Sequence, residues 1–382
     1  MKKSTFFASA VFSSLLLISC TSSNIVSNQP AISRKIDQMT LREKVGQLFV
    51  VRPESLDPSY TLEQIHKGSE KGSLEISMEM TESYKKYPAG GIILFARNIQ
   101  TPVQIKKFTN QIHHLPGLTP FVYVDEEGGL VSRLANNSDF YLPEYKDMRT
   151  IGDTKNSAEA KNAGLTIGRY LKKYGFDVDF APVADIDTNP KNPIIGRRAF
   201  SSDAKVVAEM AVAFEKGLKL AGIQGCYKHF PGHGDTQTDT HYGYAEVRKN
   251  WQQLQDCEIE PFKAAIENGA GYIMTAHITA PKVDPSNVPS TMSKIILTDK
   301  LRGELGYQGI IITDGMEMGA ITKQFKPGDA AIQAILAGVD IILIPYDYTN
   351  TFDAVVKAVE DGLISEERLN QSLSRILTAK GF

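Results

Sequence analysis

Lys228 to His241 reads KHFPGHGDTQTDTH. Three histidines, two aspartates and a lysine fall in this stretch of a chain that has 7 histidines altogether. Such a set suits three kinds of chemistry. His229, His233, His241 and the aspartates are residue types that ligate zinc. Against zinc, Pro231 and Gly232 separate His229 from His233, so the two rings cannot share one helix face as in HExxH, and there is no paired CxxC. A solvated, glycine-rich turn is the plainest alternative. The third reading is proton transfer. Asp239, two positions before His241, can hydrogen-bond the ring, fix its tautomer and raise its pKa above the usual value of about 6.5. A histidine so held can donate a proton to a leaving group and recover it later.

Further charged residues recur just after apolar runs. Asp125-Glu126-Glu127 precedes two glycines and Arg133, and Asp185 and Asp187 lead into NPIIGRRAF with Arg197 and Arg198. His277 closes GYIMTAH, and Asp314 follows three isoleucines and a threonine in IIITDGMEM. An aspartate there is costly to hold unless it is hydrogen-bonded or functional. It could cap the next helix, or act as a nucleophile or electrostatic stabiliser facing cations. Glu317 is its nearest competitor.

The elements that must position these groups are legible as eight near-continuous apolar runs, at 45–51, 90–96, 120–127, 176–183, 223–230, 271–277, 308–315 and 340–346. Such runs suit parallel strands covered on both faces. Amphipathic stretches lie between them, among them TPVQIKKFTNQIHHL, DAKVVAEMAVAFEKGLKLAG and GDAAIQAILAG. In NSAEAKNAGLTIGRYLKKYG, Asn156 and Glu159 have capping-box spacing and Gly175 marks the end. Eight strands each followed by a helix predict an α/β fold, a (β/α)8 TIM-type barrel, with catalytic groups at the C-terminal strand ends. An open doubly wound sheet is disfavoured because no glycine-rich phosphate loop follows the first strand. Residues 53–89 form a long polar connection expected to carry a helix of its own and to serve as a side wall or lid.

The balance of 42 Lys+Arg against 44 Asp+Glu gives no basic excess for nucleic acid, and none is expected as a partner. MKKSTFFASAVFSSLLLISC has a charged start and a short apolar core, so residues 1–19 are expected to be a signal peptide. Residues 20–35 are expected to be a flexible tether before a single catalytic domain at 36–382. No later segment is apolar and long enough to cross a membrane. Cys226 and Cys257 could pair or remain free, and spacing does not decide between them.

Together KHFPGHGDTQTDTH, VDEEGGLVSR, NPIIGRRAF and IIITDGMEM resemble the bacterial β-N-acetylglucosaminidases of glycoside hydrolase family 3. The resemblance covers essentially everything after the tether. It implies a single (β/α)8 barrel that removes terminal β-linked N-acetylglucosamine with retention, often from peptidoglycan fragments, using neither metal nor cofactor. Position by position, it implies Asp314 as nucleophile, His241 as acid/base and Asp239 as its partner. Asp125, Arg133, Arg198, Lys228 and His229 match residues that hold the sugar, and His233 is left with a structural place in the loop. Leu-Ile-Ser before Cys20 resembles the bacterial lipoprotein cleavage box, implying a lipidated Cys20, attachment to a bacterial membrane and a periplasm-facing enzyme. The chain departs from the family pattern at Thr240, at Leu130 where arginine is expected, and at Gly315 where alanine or a second acid is usual. An exo-β-glucosidase or a glycoside phosphorylase of the same family, and a lipid-anchored glycan-binding protein, are the competing expectations.

Overall fold

The computed structural model describes residues 23–67, 71–236 and 245–382. Each of the eight apolar runs contributes one parallel strand, in chain order β1 (Phe49–Val51), β2 (Gly91–Ile93), β3 (Phe121–Val124), β4 (Val178–Asp179), β5 (Gln224–Phe230), β6 (Tyr272–Thr275), β7 (Ile310–Thr313) and β8 (Ile342–Leu343). β1 to β7 pair in sequence, and β8 returns to β1 with Phe49 opposite Ile342 and Val50 opposite Leu343. An Ile312–Ile341 bridge joins β7 to β8 and closes the ring. β3 ends one residue before Asp125 and β7 one residue before Asp314, so both carboxylates stand at C-terminal strand ends.

A helix follows each strand: Pro102–His113 after β2, Ser157–Lys173 after β3, Ala204–Leu220 after β4 and Glu260–Glu267 after β5. A π-helix, Ile295–Glu304, follows β6; Pro327–Ala337 follows β7 and Tyr348–Glu360 follows β8. This is the expected (β/α)8 barrel. Thr101 and Asp203 cap their helices with side-chain oxygens, each accepting a backbone N–H of the first turn. The expected capping box at Asn156 is incomplete. Its side chain accepts from the Ala158 N–H, while its own N–H is taken by Thr154 Oγ1 rather than by Glu159.

The barrel interior is packed rather than hollow. Tyr123 lies 5.3 Å from Phe180 and 6.4 Å from Tyr272 between ring centroids. Gly91 admits that ring, because a Cβ there would sit 2.2 Å from Tyr123 Cε2.

Two features differ from expectation or refine it. Residues 20–35 were expected to be a tether, yet helix Ser23–Asp37 buries Ile32 and Ile36 and packs on the closing helix Glu366–Ala379. The polar composition of this stretch masked an i, i+4 apolar pair that needs a partner surface. The long connection after β1 does carry its own helices, Leu62–His66 and Met78–Lys86. It is fastened as a wall: Arg97 donates to the Gln64, Ile65 and Lys67 carbonyls, and His66 stacks on Tyr346 at 4.5 Å. Burial holds His66 neutral, its pKa lowered to about 4. Cys226 and Cys257 are free thiols.

Candidate active site

At the end of β3 the chain presents Asp125, Glu126 and Glu127, and successive side chains of an extended segment point to opposite sides. Glu126 turns into the loop. It accepts the backbone N–H groups of Arg133, Leu134 and Ala135 at 2.5, 2.9 and 3.0 Å and the Tyr170 hydroxyl at 2.8 Å. That anchors the turn carrying Arg133. Asp125 and Glu127 face Lys228, whose Nζ lies 2.7 Å from each. Glu127 also holds Arg198 in a fork, with Nε at 2.8 Å and Nη2 at 2.6 Å. Arg133 Nη2 stands 3.8 Å from Asp125.

Electrostatics follow from that packing. Burial alone would raise the Glu127 pKa, but Arg198 and Lys228 hold its carboxyl far below the usual carboxylate range. Burial would lower the Lys228 pKa, and Asp125 with Glu127 instead keep the ammonium firmly charged. The charges are mutually neutralising, the condition under which buried ions are tolerable.

β5 ends in Lys228 and His229. Asp185, fully buried after β4, takes the His229 Nδ1 at 2.6 Å and the backbone N–H groups of His229 and His233 at 3.1 and 2.6 Å. With Nδ1 donating to Asp185, Nε2 is the nitrogen left for a ligand. Asn192 donates to the His233 carbonyl at 2.8 Å, so the loop after β4 braces the loop after β5.

Asp314 follows β7, and Gly315 N–H donates to its Oδ1 at 2.8 Å. Burial pushes its pKa up, but His229, His277, that N–H and Lys228 prevail and keep the carboxyl below its ordinary value. An ionised, partly desolvated carboxylate is what nucleophilic attack requires. Glu317 differs: burial raises its pKa, and its Oε1 is tied to Arg52 Nη2 at 3.0 Å.

Asp125, Arg133, Arg198, Lys228, His229 and Asp314 all line one pocket of about 230 Å³, together with Glu127, His233, Phe95 and Glu317. That is below the roughly 300–1,000 Å³ of sites for drug-sized ligands and suits one sugar ring rather than a chain. Asp239 and His241 lie outside the described residues. Glu127, Asp185 and Glu317 are site residues that sequence reasoning did not single out for this role. Alternation along Asp125-Glu126-Glu127 was the available signal for the first. His233, assigned a purely structural place, lines the pocket, and its Nε2 is buried without a hydrogen-bond partner among the described residues. Burial lowers its pKa, so the ring is neutral. No cluster of metal-ligating side chains occurs among the described residues.

The chain is 36% identical over 330 residues to β-hexosaminidase A of Pseudoalteromonas piscicida, covering 79% of this chain and 55% of that one. It is 37% identical over 264 residues to the β-hexosaminidase of Nitrosomonas eutropha, covering 68% and 74%. A family 3 β-N-acetylglucosaminidase from a Paenibacillus superposes with a TM-score of 0.81 at 36% identity, covering 90% of this chain and 62% of that chain. The chain thus spans a little over half the length of the Pseudoalteromonas and Paenibacillus proteins. Residues 40–379 match the glycosyl hydrolase family 3 N-terminal domain, and the chain belongs to that family.

Proposed function

We propose that the protein is a retaining exo-β-N-acetylglucosaminidase acting on peptidoglycan-derived or related glycans. The observation that carries this reading is the convergence of Asp314 with Asp125, Arg133, Arg198, Lys228 and His229 on a pocket sized for one ring. The β-hexosaminidase names of its relatives support the choice of sugar.

In the mechanism, Asp314 attacks the anomeric carbon while Asp125, Lys228 and His229 fix the sugar hydroxyls. A carboxylate accepts two hydroxyl donors at once, and the ammonium donates without reorienting. His241, held by Asp239, protonates the leaving oxygen and then activates water to release the sugar. Most retaining glycosidases use a second carboxylate for this step. A histidine is neutral when it takes the proton from water and so repels an acidic substrate less.

Aryl β-glycosides of N-acetylglucosamine, glucose and xylose, assayed with and without phosphate, test the reading. The N-acetylglucosaminide should be turned over fastest, giving free sugar whether or not phosphate is present. Preference for the glucoside, or a sugar phosphate as product, would contradict it. In the same assay Asp239→Ala should lose roughly 10²–10⁴-fold on poor leaving groups and far less on activated aryl groups. Equal losses remove the proton-donor role.

The export and anchoring expected from residues 1–20 belong to the same proposal. The protein should sediment with membranes, and Cys20→Ser should release it to the soluble fraction; continued sedimentation of that variant would refute lipidation at Cys20.

A further inference from the structure

Among the described residues of the pocket wall, Glu317 is the acid whose place in the chemistry above is unassigned. Its neighbours account for only half of it. Oε1 accepts from Arg52 Nη2 at 3.0 Å, while Oε2 is buried and has no hydrogen-bond partner among the described residues. Arg52 is itself fixed, stacked over the Phe95 ring at 4.4 Å, so the carboxylate cannot swing away without losing its counter-charge. The side chain is 17% exposed. A desolvated carboxylate oxygen without a donor is expensive, and such an oxygen in a ligand pocket is most simply explained by a donor arriving with the ligand.

Its position says which donor. Oε2 lies against Gly315, the residue after the nucleophile, since a Cβ built on Gly315 would be 2.4 Å away. A side chain at 315 would crowd that oxygen, and glycine leaves the space open. The carbon attacked by Asp314 is bonded to two ring atoms. One is the ring oxygen, which carries no hydrogen. The other is C2, which carries an N–H in a 2-acetamido sugar and an O–H in a glucoside.

We propose that Glu317 is a specificity-determining residue whose Oε2, oriented by Arg52 and admitted by Gly315, accepts a hydrogen bond from the donor on C2 of the bound sugar. The inference rests on the exo-glycosidase reading and names the substituent its pocket inspects. The charges of the wall agree with a neutral sugar. Among the described residues the cations Lys228, Arg198, Arg133 and Arg52 face the four acids Asp125, Glu127, Asp314 and Glu317, so the wall carries no excess of positive charge for an acidic ring.

Glu317→Gln is the discriminating substitution. Glutamine has one acceptor oxygen; Arg52 claims it, and the amide NH2 is left where Oε2 was. The free end changes from acceptor to donor at constant shape. kcat/KM is measured for the 2-acetamido, 2-hydroxy and 2-deoxy aryl β-glucosides. In Glu317→Gln the preference for the 2-acetamido over the 2-deoxy substrate should fall by roughly 10- to 100-fold, the worth of a hydrogen bond to a charged group. Gly315→Ala, which pushes the carboxylate aside without altering it, should reproduce the fall. Equal losses on all three substrates, or a preference unchanged in both variants, would overturn the proposal. If wild type instead prefers the 2-hydroxy substrate, the N-acetylglucosaminidase reading fails, while the contact is still read from the 2-hydroxy to 2-deoxy ratio.

Discussion

Asp314→Asn should lower kcat/KM on the order of 10⁴-fold or more, the scale seen when a nucleophile is removed from an intact site. Asparagine keeps the shape and the acceptor for the Gly315 N–H, so the fold should persist and the loss should report chemistry. The argument is electrostatic. Burial alone would favour a neutral acid at position 314, yet His229, His277 and Lys228 hold it ionised. Asparagine has no charge for them to stabilise and no nucleophilic oxygen to offer. A loss below about tenfold, smaller than that from one positioned acid/base group, would mean that another group attacks.

The second large effect concerns stability. Glu127→Gln should destabilise the protein by about 3–5 kcal/mol, because removing one partner of a buried ion cluster leaves the others uncompensated. Here the others are two cations, Lys228 at 2.7 Å and Arg198 in its two-bond fork; among the described residues Asp125 is then the one carboxylate left in direct contact with Lys228. Urea unfolding measures the difference. The substitution should also abolish most activity, since Lys228 loses one of its two anchors. A variant within about 1 kcal/mol of wild type, the range of a surface pair, would show the cluster to be solvated in solution.

The same carboxylate sets an acid limit. Its folded-state pKa lies below the value of about 4.3 expected in an unfolded chain. Its contribution is therefore complete above that value and is lost as pH falls from there toward the folded-state pKa. Wild-type stability should decline with acid below about pH 4.3, and less steeply in Glu127→Gln.

The barrel was legible because its signals are local. Apolar runs of strand length, spaced by amphipathic stretches, gave all eight strands in order, and the strand-end rule pointed to Asp125, Lys228, His229 and Asp314. What escaped depends on contacts between distant positions. Arg52 and Glu317 are 265 residues apart, and Asp185 and His229 are 44 apart, so neither pair leaves a spacing signature. Glu127 was legible in principle, since alternation places it beside Asp125 and sets Glu126 apart. The helix at 23–37 was missed because serine, asparagine and proline outweighed Ile32 and Ile36, whose burial depends on the distant closing helix.

The central claim is that Asp314 forms a covalent bond to the sugar. Incubation with a 2-fluoro glycoside that traps the glycosyl-enzyme, followed by proteolysis and mass spectrometry, tests it most directly. The account predicts a single added sugar on the peptide containing Asp314. A label on Glu317, Asp125 or any other residue, or turnover with no trapped species and inverted product, would contradict it.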